Sequence, residues 1–249
     1  MANCFIIRRR RGNALYLTPF NDVQTSASWS EDEPVKWFAS TGLTTGEKDD
    51  ALFLLYGQID RGVDRWIQDK RYIPRLLISA AVFLVLYFFF SLAVRDPIPV
   101  IDEFLIGLAG AIGIATLLTK KDKKSDLAMK KRLLLKQNGS RGTYEVLEEL
   151  TLYEEYLNKC SSIETLELAD RLCSKDDLPQ LDLSKVDIAT EFKNLLLKEI
   201  ELNDKALYKE YLHLIVGKID NSYSARLVKL AMQKQLDLPL LALMVVLSK

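Results

Sequence analysis

The chain is poor in the side chains that do most protein chemistry. Among its 249 residues there is one histidine, His213, and there are three cysteines, Cys4, Cys160 and Cys173. A lone histidine rules out any site needing two imidazoles, and no Ser–His–Asp or Cys–His arrangement assembles around His213, which sits among Tyr211, Leu212, Leu214 and Ile215 and reads as a packed residue. An odd cysteine count without CxxC spacing supplies neither a disulfide framework nor a zinc site, and it implies a reducing compartment for the soluble parts. Glycine and proline are sparse, at 11 and 7. The glycine-containing stretch 42–48 lacks the G-x-x-x-x-G-K spacing, and no buried strand is expected before it, so it is not read as a phosphate loop. Net charge is absent too: 34 basic residues balance 34 acidic ones. The arginine run at 8–11 is too short to imply nucleic-acid binding. The expectation is therefore a non-enzyme with no catalytic residue, cofactor, metal, nucleic-acid partner or small-molecule substrate.

What the chain has instead is two long apolar runs. Residues 76–94 carry no charge, and neither do residues 104–119. Nineteen residues as a helix reach about 28 Å, close to the thickness of a hydrocarbon core. Between the runs lie Arg95, Asp96, Pro97, Pro99, Asp102 and Glu103, a short polar turn. The expected fold is a mainly α membrane protein with a two-helix transmembrane hairpin over 73–119, its spans at about 74–95 and 100–119. A small irregular or β module (1–46) and an amphipathic helix (47–72) precede it. A basic helix (120–138) and a C-terminal helical domain (139–249) follow.

Charge placement orients the hairpin. Arg61, Arg65, Lys70, Arg71 and Arg75 precede the first span. Residues 120–136 hold eight basic residues against two acidic ones, a net +6. The turn offers only Arg95. The positive-inside rule then puts both termini in the cytoplasm. The cell membrane is the expected location. Residues 1–21, with four arginines and no acid before Asp22, keep the mitochondrial inner membrane as the alternative. No secretory signal is read there, because the apolar residues 4–7 are too few and the arginines follow them.

Local patterns set the other elements. Residues 5–10 and 14–18 suit a small β-hairpin about 11–13. Residues 21–46, with the acids Glu31, Asp32 and Glu33, read as loop. Thr44 and Glu47 form a capping-box pattern. It is followed by a helical stripe of Leu52, Leu55, Tyr56, Ile59, Val63, Trp66 and Ile67, suited to core packing or to a membrane surface. Helices are expected at about 120–137, stopping at Asn138-Gly139, and at 143–158, 163–173, 185–202, 205–218, 223–236 and 238–247. Their caps are Ser161/Glu164, Ser184/Asp187, Asp204 and Ser222. The nearly all-apolar 238–247 is too short to span a bilayer and is expected to be a central buried helix.

Three features are candidates for function. Asp102 and Glu103, at the start of the second span, either cap that helix or ring the mouth of an oligomeric pore. Gly107, Ala109, Gly110, Ala111 and Gly113 form a small-residue face for packing against the first span or for self-association. Lys120, Lys121, Lys123, Lys124, Lys130, Lys131 and Arg132 could contact anionic lipid. The expected role is a membrane anchor or scaffold whose cytoplasmic domain binds a protein partner. The alternatives are an oligomeric cation channel or transporter subunit, and a membrane-shaping or lipid-sensing hairpin.

Overall fold

The structure is a computed structural model and describes residues 2–10, 13–21, 34–93, 101–174, 178–181, 188–217 and 222–248. The turn between the spans (94–100), the centre of the N-terminal hairpin, the acids at 31–33 and the Ser184/Asp187 cap lie outside the described residues. The chain is mostly helical and divides into two units.

The first unit comprises Met1–Asn21, Asp32–Tyr56 and Asn138–Lys249. It holds a four-stranded mixed sheet in the order β2-β1-β3-β4. Strand β1 (Ala2–Ile7) pairs antiparallel with β2 (Leu15–Leu17), placing Ile6 opposite Tyr16. The N-terminal β-hairpin pattern is thus realised. On its other side β1 runs parallel to β3 (Val35–Ala39), which runs parallel to β4 (Thr143–Val146).

Both parallel strands correct the sequence reading. The sequence predicts loop over 35–39, yet Val35, Trp37 and Ala39 are buried in strict alternation with Lys36 and Phe38. Five residues of period-two pattern give little signal, and the pairing partners lie far away in sequence. The sequence predicts the start of a helix over 143–146, but β3 offers these residues an open edge. The helix starts only at Leu150.

Among the described residues this unit also holds α5 (Leu150–Ser162), α6 (Thr165–Ser174), α7 (Ala189–Asn203), α8 (Lys205–Val216), α9 (Tyr223–Lys234) and α10 (Leu238–Val246). Strand β1 is buried from Cys4 to Ile7, and its Phe5 meets the ring of Phe192 on α7 at 5.8 Å. Phe192 in turn stacks on Tyr153 of α5 at 4.1 Å. Helix α10 lies at the centre, with Leu241, Ala242 and Met244 fully buried. Asp237 caps it by accepting from the Leu240 N–H at 3.0 Å, as Asp204 caps α8 through Leu207. Ser222 occupies the N-cap position of α9. The expected box at Ser161/Glu164 does not form. Ser161 lies in the last turn of α5 and donates to the Leu157 carbonyl instead.

The second unit comprises Asp22–Glu31 and Gly57–Gln137. Helix α1 (Thr45–Lys70) begins in the first unit and ends in the second. Its capping box is present, with the Thr44 N–H donating to Glu47 at 2.9 Å and the Glu47 N–H donating back to Thr44 at 3.3 Å. Ala51, Leu55, Ile59, Val63 and Ile67 are fully buried. Protein therefore covers the stripe that a membrane-surface helix would leave open. Each of the buried leucine, isoleucine and valine side chains contributes about 1.5–3 kcal/mol of burial.

Helices α2 (Tyr72–Ala93) and α3 (Ile101–Lys123) pack side by side, Phe83 meeting Phe104 edge-on at 5.4 Å. Both are long and apolar enough to cross a membrane, and only 6% and 11% of their most apolar windows are buried. The expected basic helix 120–137 is two helices. Chain direction changes at Lys124-Ser125, and α4 (Asp126–Ser140) begins anew. Ser125 marks the break by donating to the Asp122 carbonyl at 2.7 Å and accepting weakly from the Ala128 N–H. Helix α4 passes the expected stop at Asn138-Gly139 by one residue.

Candidate functional site

The basic end of the hairpin is an ion-pair lock. Arg71 and Arg75, where the chain enters α2, both face Asp122 near the end of α3. Their Asp122 distances are 3.0 Å from Arg71 Nη1 and 3.7 Å from Arg75 Nε. Arg75 also donates to Thr119 Oγ1 at 2.7 Å and to the Gln68 carbonyl. The Asp122 side chain is only 7% exposed, and these two guanidiniums are its ion-pair partners. Nothing in the sequence singles out Asp122 except its position among lysines.

A second set of pairs ties α1 to the end of α3 and to α4. Asp64 accepts Lys123 at 2.9 Å and also pairs with Arg132. Asp60 pairs with Lys136 at 2.8 Å, with Arg132 Nε at 3.7 Å. The sequence reading offers Lys123 and Arg132 as possible contacts of anionic lipid; in the structure these carboxylates pair with them. The signal is present as Asp60/Asp64 and Arg132/Lys136, two pairs at four-residue spacing that place like charges on one helix face. Lys120, Lys121, Lys124 and Lys130 are exposed, and Lys131 is half-buried.

The structure divides the small-residue face. Gly107 and Gly110 lie against α2, where a Cβ on Gly107 would stand 3.1 Å from the Phe83 ring and one on Gly110 would overlap Leu86. Ala111 is half-buried, whereas Ala109 and Gly113 point outward, Gly113 into open space. Asp102 and Glu103 stand in the first turn of α3, where the helix dipole favours negative charge. Asp102 is exposed and Glu103 is 5% exposed. Toward the basic end, α2 and α3 part to leave a groove of about 380 Å³. Tyr72, Arg75, Leu76 and Ser79 line one side of it, and Ala111, Ile112, Ala115 and Thr119 line the other.

The first unit has a polar cluster and a cavity that the sequence does not reveal. At the C-terminal end of β1, Arg8 grips Glu47 through Nε at 2.7 Å and Nη2 at 3.1 Å, and also reaches Thr41 and the Gly42 carbonyl. Glu154 accepts from the Arg8 N–H at 2.8 Å and from Ser40 at 2.7 Å. The guanidinium and the capping-box hydrogen bonds hold the Glu47 carboxyl down to about 2. The cluster fills the loop between β3 and α1. A buried strand does precede the 42–48 stretch, contrary to expectation, and Arg8 donates to Thr41, the Gly42 carbonyl and Glu47 within that stretch and its approach.

The other feature is a cavity of about 590 Å³ framed by α5, α6, α9 and the start of α10. Leu157, Leu168, Ala231 and Leu238 make it apolar, and the Arg9–Asp237 pair, 2.6 Å apart, stands at its side. Gln235, in the left-handed conformation at φ 54°, turns the chain there from α9 toward α10. Cys160 lines the cavity, but burial pushes its thiol up to about 11, which withholds the nucleophilic thiolate. The ring of His213 stacks on Tyr223 at 4.6 Å, a packing role. Among the described residues no group of three or more His, Cys, Asp or Glu is placed to hold a metal ion. The cavity is a mainly apolar hollow with a few polar groups, the usual character of a ligand pocket.

No family model matches this chain, and neither a curated protein nor a solved structure is similar to it.

Proposed function

We propose that this chain is an integral membrane scaffold. Helices α2 and α3 anchor it as a hairpin with both termini cytoplasmic, and the helical body of the first unit binds a protein partner without catalysing a reaction. The observation that carries the reading is the outward face of the two long helices. Side chains such as Leu77, Val85, Phe89 and Leu105 are each more than half exposed. An apolar surface of that extent is covered by lipid or protein in a working molecule. Basic residues at one end of the hairpin favour the cytoplasmic orientation of that end. Glu103, nearly buried within one chain, favours helix capping over a pore ring.

The test is two measurements on the full chain in its own cells. Alkaline carbonate extraction should leave the protein in the membrane pellet, and a labelling tag at either terminus should react only after the membrane is opened. In-cell cross-linking should then capture a second, different protein through the C-terminal helices. Release by carbonate would overturn the anchor, labelling of either terminus in intact cells the orientation, and a chain that cross-links to nothing the scaffold role.

A further inference from the structure

The hollow between α5, α6, α9 and the start of α10 has a wall whose charges cancel. Its volume of about 590 Å³ lies within the roughly 300–1,000 Å³ that small-molecule sites occupy. Leu157, Cys160 and Leu168, all but fully buried, back it. The apolar surface that an occupant can touch comes from half-buried Ile163, Ala231 and Pro239, and from Met232, which is 74% exposed.

Arg9 and Asp237 are the charged side chains of this wall, and each is committed within the fold. Asp237 gives one oxygen to Arg9 Nη1 at 2.6 Å and the other to the Leu240 N–H at 3.0 Å, which caps α10. Arg9 also donates through Nε to the Asn13 carbonyl at 2.9 Å. An ionised occupant finds no counter-charge here unless it breaks the pair, and burying it unpaired is costly. An uncharged acceptor meets no such cost. Arg9 Nη2 has no hydrogen-bond partner among the described residues, and the Arg9 side chain is 20% exposed, so it can be reached.

We infer that this hollow binds an uncharged, mainly apolar small molecule that carries a hydrogen-bond acceptor. Its apolar body lies against Ile163, Ala231 and Met232, and its acceptor takes the Arg9 Nη2 donor. The charge balance of the wall selects this class: the Arg9–Asp237 pair leaves one donor open and no net charge. The site lies wholly within the first unit, so it goes beyond the partner-binding role and does not depend on the membrane reading.

The experiment irradiates the full chain in nanodiscs with benzophenone, which is uncharged and carries one carbonyl acceptor, or with 4-benzoylbenzoate, the same skeleton with a carboxylate. Peptide mass spectrometry maps the adducts. Benzophenone should label the peptides of Ile163 and Met232 to saturation, whereas probe dissolved in lipid labels α2 and α3 in proportion to its concentration. The carboxylate probe should label the Ile163 and Met232 peptides about ten-fold less, because the wall holds no counter-charge for it. Asp237→Asn keeps a capping side chain on α10 but frees the Arg9 charge, and should raise labelling by 4-benzoylbenzoate about ten-fold. Ala231→Phe, which fills the hollow, should remove the Ile163 and Met232 adducts and leave those on α2 and α3. If that variant unfolds the unit, seen as maleimide reaction at Cys160, Thr165→Trp fills the same hollow from α6 and carries the same reading. Labelling that does not saturate, adducts that survive the filling variant, or equal labelling of the unmodified chain by the two probes would overturn the site. So would adducts that vanish when the chain carries its cross-linked protein partner, since that protein would then fill the hollow. A chain that does not enter nanodiscs sinks the anchor reading alone, and this site is then read in detergent.

Discussion

Arg8 and Glu47, 39 positions apart in sequence, meet in a two-point contact that joins the end of β1 to the first turn of α1. Glu47 thus closes a capping box and anchors a strand with one carboxylate. Its pKa is depressed, so the stabilisation is fully present above the ordinary value of about 4.5 and is lost as pH falls toward about 2. Glu47→Gln should cost about 1–2 kcal/mol at neutral pH and flatten the acid limb of the stability profile between those values. Chemical denaturation across pH measures both. An unchanged acid limb would mean that the contact is not made in solution.

The ion-pair lock at the basic end predicts an asymmetric response. Asp122→Asn leaves Arg71 and Arg75 facing no charge and should destabilise the hairpin by about 3 kcal/mol. Lys120→Gln, at an exposed neighbour, should change stability by less than about 0.5 kcal/mol. Reversible unfolding in mixed detergent distinguishes the two.

Glycines on α3 should differ by position. Gly107→Val forces a branched side chain toward Phe83, whose ring and carbonyl would both lie within 3.2 Å of the new Cβ. It should cost about 1–3 kcal/mol and splay α2 from α3. A Cβ at Gly113 meets nothing within 4 Å, and Gly113→Val should leave the α2–α3 packing as it is. The same detergent unfolding, paired with cross-linking across the two helices, reads the difference.

The cysteines supply a probe of the first unit. Cys4 and Cys160 are fully buried, and burial raises the pKa of both thiols. Neither should react with maleimide in the native protein. Half-buried Cys173 should react slowly, and all three should react in denaturant. Rapid native labelling of Cys160 would mean that the cavity it lines opens to solvent.

Patterns that carry their own signal are legible in the residues. The Thr44/Glu47 box, the stripe from Leu55 to Ile67, the Asp204 cap and the buried α10 depend on neighbours within a turn or on plain apolarity, and the structure has them all. Strands β3 and β4 are not legible, because four or five residues alternate convincingly only when a partner strand exists. The break at Lys124-Ser125 is hidden for a related reason: the helical pattern continues on both sides of it, and one serine hydroxyl marks the turn.

The candidate sites follow the same division. By itself the sequence determined two long apolar runs with cations at one end, since hydropathy and charge act through a residue's own transfer free energy whatever its neighbours. Only the tertiary structure decided which cations are free. Lys123 and Arg132 look like Lys120 and Lys121 in the sequence, but Asp64 lies within reach of the first two. Likewise Gly107 and Gly113 are alike in sequence, and the rotation of α3 against α2 turns one inward and the other out. Pairing and packing are relations between residues distant along the chain, so their energies appear only when the fold brings both partners together.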